Sequence, residues 1–185
     1  MEIQIIRSRR KTLSMELKNG EVIVRAPKWV SRREINGFIA GHQEWLKKAM
    51  AREQARQAQL AAVVKLTPAQ MDELARLARL YIPRRVAHYA PMVGVDYGNI
   101  TIRRQRSRWG SCSAKGNLSF NCLLMLAPPE VIDSVVVHEL CHRRVMDHSQ
   151  RFYDLVLGVM PDYQEHHKWL RQHGQELIAR LPLKE

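Results

Sequence analysis

Residues 138–142 read His-Glu-Leu-Cys-His, and His148 follows six positions later. No other feature confines the chain so tightly. On an α-helix, residues four apart stack on one face about 6 Å apart along the axis, so His138 and His142 can share one metal ion. Glu139, between them, is badly placed as a third ligand and well placed for proton transfer, as general base to a metal-activated water. Pro128-Pro129-Glu130 suits the first turn of a helix, and Val131, Ile132, Val135, Val136 and Leu140 give that helix a buried face. The motif is therefore expected on a core helix, where two imidazoles and a carboxylate without a metal are costly to bury.

His148 is the natural third ligand, yet on an unbroken helix it lies about 9 Å beyond His142. The helix is thus expected to break between Arg143 and Asp147. Asp147-x-x-Gln150 resembles a capping box that starts a new helix and leaves His148 in its first turn. The spacing equals that of the metzincin motif, but Val145 stands where that motif has Gly, so the metzincin turn is not expected. Three neutral His ligands plus water form an open, catalytic arrangement, whereas a structural site is closed by a fourth protein ligand. Zn²⁺ is the expected ion, with Ni²⁺ and Mn²⁺ left open. Cys141 lies about 100° around the helix from His142 and reads as a small buried hydrophobe.

A chain of 185 residues with 45% apolar residues can bury a sizeable core. No run approaches the length of a transmembrane helix, and the start Met-Glu-Ile-Gln-Ile-Ile-Arg lacks the pattern of a signal peptide. No membrane partner and a cytoplasmic location are the expectation. Cys112, Cys122 and Cys141, an odd and widely spaced set, suit a reducing compartment.

Two stretches are expected, 1–66 and 67–185. In the first, alternation at Leu13, Met15 and Leu17, a turn at Asn19-Gly20, and Val22 and Val24 predict a β-hairpin over 12–26, with an edge strand at 2–7. Ser31-Arg-Arg-Glu34 is a capping box that opens a helix through Ile35, Phe38, Ile39, Trp45 and Leu46. Lys47 to Ala62 reads as a solvated helical arm.

The second stretch opens on a capping box at Thr67-Pro68-Ala-Gln70, and its helix buries Leu74, Leu77, Ala78, Tyr81 and Ile82 until Pro83 kinks or ends it. A turn at 96–99, strands at 100–106 and 117–122, and the motif helix follow. A helix near 149–157 is expected to end at Gly158. Another, capped by Asp162-Tyr-Gln-Glu165, should end near Gly174. A small sheet packed on a metal-bearing helix makes the class α+β.

Ser107-Arg108-Trp109-Gly110-Ser111-Cys112, Leu118-Ser-Phe-Asn121, and His138-Glu-Leu-Cys-His142 with His148-Ser149 and Phe152 together closely resemble the YgjP-like metallopeptidase family. The N-terminal hairpin and helix match as well. That family is related to the SprT-like proteases, called Spartan in animals, which share the Trp-Gly-Ser-Cys and His-Glu-x-x-His elements. The resemblance implies a zincin-like, gluzincin-type fold. It carries the metal role onto His138, His142 and His148 and the base role onto Glu139.

Substrate-binding residues are not identifiable from the sequence. Arg108 and Tyr153 are candidate donors to a developing oxyanion because they stand close to the motif elements. For Trp109 and Tyr153, wall packing is the simpler expectation. The net charge of +12 suggests a polyanionic partner. Residues 1–66 carry 14 basic and 6 acidic groups, +8, against 16 and 12, +4, in the rest. The cluster Arg7-Ser-Arg9-Arg10-Lys11, the arm from Lys47, and Arg103, Arg104, Arg106 and Arg108 are candidates for following phosphates.

Three functions compete. The first is a zinc-dependent metallopeptidase acting on a peptide or protein. The second is a metal-dependent hydrolase of phosphoanhydrides such as nucleoside triphosphates. Against its usual form, the chain has no phosphate-cradling Gly-rich loop and no carboxylate cluster for Mg²⁺. The third, a nucleic-acid-associated protein with a structural metal, ranks last, because a glutamate between two ligands serves no structural site.

Overall fold

The computed structural model describes residues 3–18 and 20–182. The chain divides into two compact units, Met1–Ala62 and Val63–Glu185.

In the first unit, strands β1 (Ile3–Ser8), β2 (Ser14–Lys18) and β3 (Glu21–Pro27) form a sheet in the order β1-β3-β2. β2 and β3 pair antiparallel, from Lys18 opposite Glu21 to Ser14 opposite Arg25. Gly20 takes φ +84° in the connecting turn, a left-handed conformation that glycine adopts without strain. Asn19 of the expected turn, and residue 2 of the expected edge strand, lie outside the described residues. β1 is an edge strand as read from the sequence, and it runs parallel to β3.

The Ser31–Glu34 capping box is present with both reciprocal bonds. The helix it starts is not continuous. α1 (Arg32–Gly41) and α2 (Gln43–Ala62) meet at His42. Val22, Val24, Ala26, Val30, Ile35 and Leu46 form the unit's own core. Trp45 stays 41% exposed and is not part of that core, contrary to its place in the helical pattern.

The second unit begins with α3 (Pro68–Val93), capped reciprocally by Thr67 and Gln70. Pro83 does not end this helix, and Pro91 also lies within it. A helix-interior proline costs about 3 kcal/mol. Here an unbroken buried stripe, Met71, Ala75, Ala78, Ile82, Val86, Ala90 and Val93, holds the helix against the core on both sides of Pro83. Leu77, read from the sequence as buried, lies off that stripe and is exposed.

Strands β4 (Ile100–Arg103), β5 (Gly110–Cys112) and β6 (Leu118–Asn121) make the second sheet, ordered β4-β6-β5, with β4 parallel and β5 antiparallel to β6. β4 is shorter than the alternation suggested. Beyond Arg103, Arg104 turns to Asp72, Arg106 donates to the Pro182 carbonyl, and the Gln105 carbonyl accepts from Asn121. β5 escaped sequence reading because Gly-Ser-Cys carries no apolar alternation. Residues 95–99 form a loop, the hydrogen-bonded turn lying at Gly94 instead.

A 3₁₀ turn at Cys122–Leu126 leads into α4 (Pro129–Cys141), which bears the motif and is buried on nearly every side. It packs on α3, where Arg85 holds Asp133 by two hydrogen bonds of 2.7 Å. α5 (Gln150–Val159) and α6 (Tyr163–Ala179) complete the unit. Neither glycine expected to stop these helices does so. Gly158 lies inside α5, and Gly174 is buried within α6, where a Cβ would stand 3.1 Å from Trp109 Cζ2. Gly174 is therefore a seat for the Trp109 indole. The class is α+β, with a small sheet beside the motif helix. No helix among the described residues is long and apolar enough to cross a membrane.

Candidate metal centre

α4 places His138 and His142 one turn apart, their Nε2 atoms 3.2 Å from each other. The helix ends at Cys141 with His142 as its C-cap, just before the expected break between Arg143 and Asp147. Arg143 and Arg144 close tight turns onto Leu140 and Cys141, and the Val145 N–H returns to the Cys141 carbonyl. The reversal brings His148 Nε2 to 3.1 Å from His138 Nε2. One detail differs. Asp147 does not cap α5; its Oδ1 accepts from Ser149 N–H at 3.2 Å, Ser149 is the N-cap, and His148 precedes the helix rather than riding in its first turn. A short local turn of this kind is what Asp favours.

All three imidazoles offer a nitrogen within 4.8 Å of the others. A tetrahedral zinc with Zn–N bonds of about 2.0–2.1 Å sets its ligand nitrogens about 3.3–3.4 Å apart, close to the 3.2 and 3.1 Å that separate His138 Nε2 from those of His142 and His148. The outer nitrogens agree. His142 Nδ1 lies 3.0 Å from the Val145 carbonyl, which only accepts, so Nδ1 carries the proton and Nε2 keeps its lone pair. His138 Nδ1 meets the Tyr163 hydroxyl at 2.8 Å. Phe152, fully buried, floors the cluster with its ring 4.5–5.0 Å from each imidazole. Burial, reinforced by the neighbouring His142, His148 and His167, pushes His138 down to about 3, so it is neutral at pH 7. Burial also pushes His142 down, partly opposed by the Val145 carbonyl. The donor set fits a divalent ion: three imidazole nitrogens, two of the rings with fixed outer partners.

Glu139 is 5% exposed and points its carboxyl at β5. A Cβ on Gly110 would stand 2.5 Å from Glu139 Oε1, so only glycine lets the strand pass this close. Desolvation pushes the Glu139 carboxyl up to about 8, with Arg108 pulling the other way. The carboxyl opens on a cavity of about 220 Å³ lined by Arg108, Trp109, Ser134, His138, Tyr163 and His167 among others. Asn121, fully buried, donates to the carbonyls of Gln105 and Arg108 and so fixes the segment that carries Arg108 and Trp109.

Of the two candidate oxyanion donors, Arg108 lines this cavity and Tyr153 does not; Tyr153 packs against Phe152 and stands 6.4 Å from the His148 ring. Cys141 is buried and outside the cluster, as read from the sequence. Tyr163, the Val145 carbonyl and His167 were not identified from the sequence. Their roles depend on the α4–α6 approach and the 142–148 reversal, which no local pattern records.

The class this defines is a metal-dependent hydrolase with a metallopeptidase domain. The chain belongs to the YgjP-like metallopeptidase family, whose domain matches residues 11–70 and 65–173. Among solved structures it is similar to the metallopeptidase zymogen of Pyrococcus abyssi abylysin, at 19% identity and TM-score 0.45, over 49% of this chain and 93% of that one. It is also similar to the zymogen of Methanocaldococcus jannaschii jannalysin, at 18% identity and TM-score 0.44, over 49% and 94%. No curated protein matches the chain.

Proposed function

We propose that the protein is a zinc-dependent metallopeptidase in which His138, His142 and His148 hold the ion and Glu139 is the general base. Residues 67–185 form the catalytic domain in this reading, and 1–66 a basic extension. The observation that carries it is the convergence of three Nε2 atoms beside a buried carboxyl that opens on a cavity. When bound, the ion supplies Lewis acidity toward a carbonyl oxygen and toward water.

The protein's own groups do the rest. Tyr163 and the Val145 carbonyl hold the imidazoles in orientation. Glu139, its carboxylate opening on the cavity beside the three imidazoles, takes the proton of the attacking water and passes it to the leaving amine. Arg108, lining the same cavity, donates to the carbonyl oxygen as charge builds there. Trp109, seated on Gly174, walls the cavity and limits water entry.

The test compares the parent with Glu139→Gln on unfolded protein, peptides and nucleoside triphosphates, with bound metal measured in both. Peptide-bond cleavage by the parent alone, at about one zinc in each, supports the reading. Turnover of triphosphates with intact peptides would replace it with phosphoanhydride hydrolysis.

A further inference from the structure

The first unit carries an arrangement that the hydrolase reading does not use. β1 and β3 run parallel, with Ser8 opposite Pro27, so the segment Arg9-Arg10-Lys11 and the turn Pro27–Val30 leave the sheet at the same end. β2 enters there too, Ser14 lying opposite Arg25. α1 starts two residues after that turn, with Arg32 and Arg33 in its first positions.

The turn itself is pinned. Val30 N–H donates to the Pro27 carbonyl at 3.4 Å, and Arg7 Nη1 stands 3.3, 3.1 and 2.6 Å from the carbonyls of Pro27, Lys28 and Val30. On this clamped turn, between buried Pro27 and buried Val30, Trp29 is 74% exposed. An isolated exposed apolar side chain is ordinary; a tryptophan on a turn held by a dedicated guanidinium is a presented one.

Five cations around it are unpaired. Among the described residues, the side chains of Arg9, Lys11, Lys28, Arg32 and Arg33 are exposed and make no hydrogen bond or ion pair. The described acids of the unit are engaged or distant. Glu16 pairs with Arg25, Glu44 with Lys47 and Glu53 with Arg56. Glu34 accepts from the Ser31 backbone, and Glu21 begins β3 at the opposite end of the sheet.

We propose that this end of the sheet binds single-stranded nucleic acid, with a base stacked on Trp29 and Arg9, Lys11, Lys28, Arg32 and Arg33 following the phosphates. An aromatic face set among cations is the combination that such binding requires. A bilayer surface fits less well, since insertion needs a broad apolar face. Among the described residues, the unit's other exposed large apolar side chains, Ile5 and Trp45, sit at mid-β1 and on α2. The inference is independent of the metal site.

The experiment is fluorescence anisotropy of a labelled oligothymidylate with the full chain across a salt series, with phosphatidylcholine–phosphatidylserine vesicles and dextran sulfate as competitors. Binding is expected to weaken about tenfold in Trp29→Ala with its salt slope unchanged, and to be largely kept in Trp29→Phe. Removing three cations in Lys28→Ala/Arg32→Ala/Arg33→Ala should reduce the slope by about 2. Unchanged thermal melting of each variant separates these effects from misfolding. No binding at about 50 mM salt overturns the proposal. So does equal affinity in Trp29→Ala, which leaves only diffuse charge attraction, and so does a preference for the vesicles that depends on Trp29.

Discussion

Gly110→Ala is the sharpest perturbation of the proposed chemistry, because it moves the base without touching a metal ligand. The new Cβ would lie 2.5 Å from Glu139 Oε1, 2.6 Å from Cγ and 2.8 Å from Cδ. Ordinary contact begins near 3.4 Å, so the carboxyl must retreat by about 0.9 Å. The retreat must come from the Glu139 side chain, since its backbone sits in the last turn of a helix buried on nearly every side. A misplacement of about 1 Å costs on the order of 100-fold in rate, or about 2.7 kcal/mol of transition-state stabilisation. Overpacking adds about 1–3 kcal/mol of lost stability. The assay is kcat/KM on a cleavable peptide, with metal content and thermal melting measured on the same preparation. We expect the metal retained, melting modestly lowered, and kcat/KM down about 100-fold. Full activity in Gly110→Ala would refute both the close approach and the role given to Glu139.

Tyr163→Phe removes the hydroxyl 2.8 Å from His138 Nδ1 and should weaken metal affinity by about 10- to 100-fold, read by competition with a chelator. Arg85→Ala strips the Asp133 carboxylate, 8% exposed, of its guanidinium, and should cost about 3 kcal/mol in denaturant unfolding. The metal-free protein should also show a specific pH dependence. The Glu139 carboxyl is pushed up to about 8 in the fold from an ordinary 4.5, so its contribution is fully present below pH 4.5 and is lost as pH rises through about 8. Measured against Glu139→Gln, metal-free stability should fall by up to about 1.4 kcal/mol per pH unit across that window. A flat difference would contradict the buried, uncharged state.

The parts of the fold that local chemistry encodes were legible in the sequence. Both reciprocal capping boxes, at Ser31 and Thr67, the β2–β3 hairpin and the helix break after His142 follow from residue spacing and turn chemistry. The approach of His148 follows too, because reading it as a third ligand requires the chain to reverse between His142 and His148. Failures came where tertiary packing overrode a local signal. Pro83 stays helical since the stripe from Met71 to Val93 is buried on both sides of it, and Gly174 is a seat for Trp109 rather than a stop. β5 carries no alternation at all, yet it holds the glycine that lets Glu139 sit against the strand. Tyr163 reads as part of a helix start and acts at His138, twenty-five residues earlier in the chain, a pairing visible only once α4 and α6 are packed.

One ion held by His138, His142 and His148 is the central expectation, and anomalous diffraction at the zinc edge from crystals of the zinc-loaded protein tests it directly. A single strong peak about 2.0–2.1 Å from all three Nε2 atoms, kept in Glu139→Gln and lost in His148→Ala, is the predicted result. Absence of a peak between the three imidazoles in a folded, zinc-treated protein, or a peak that excludes His148, would contradict it.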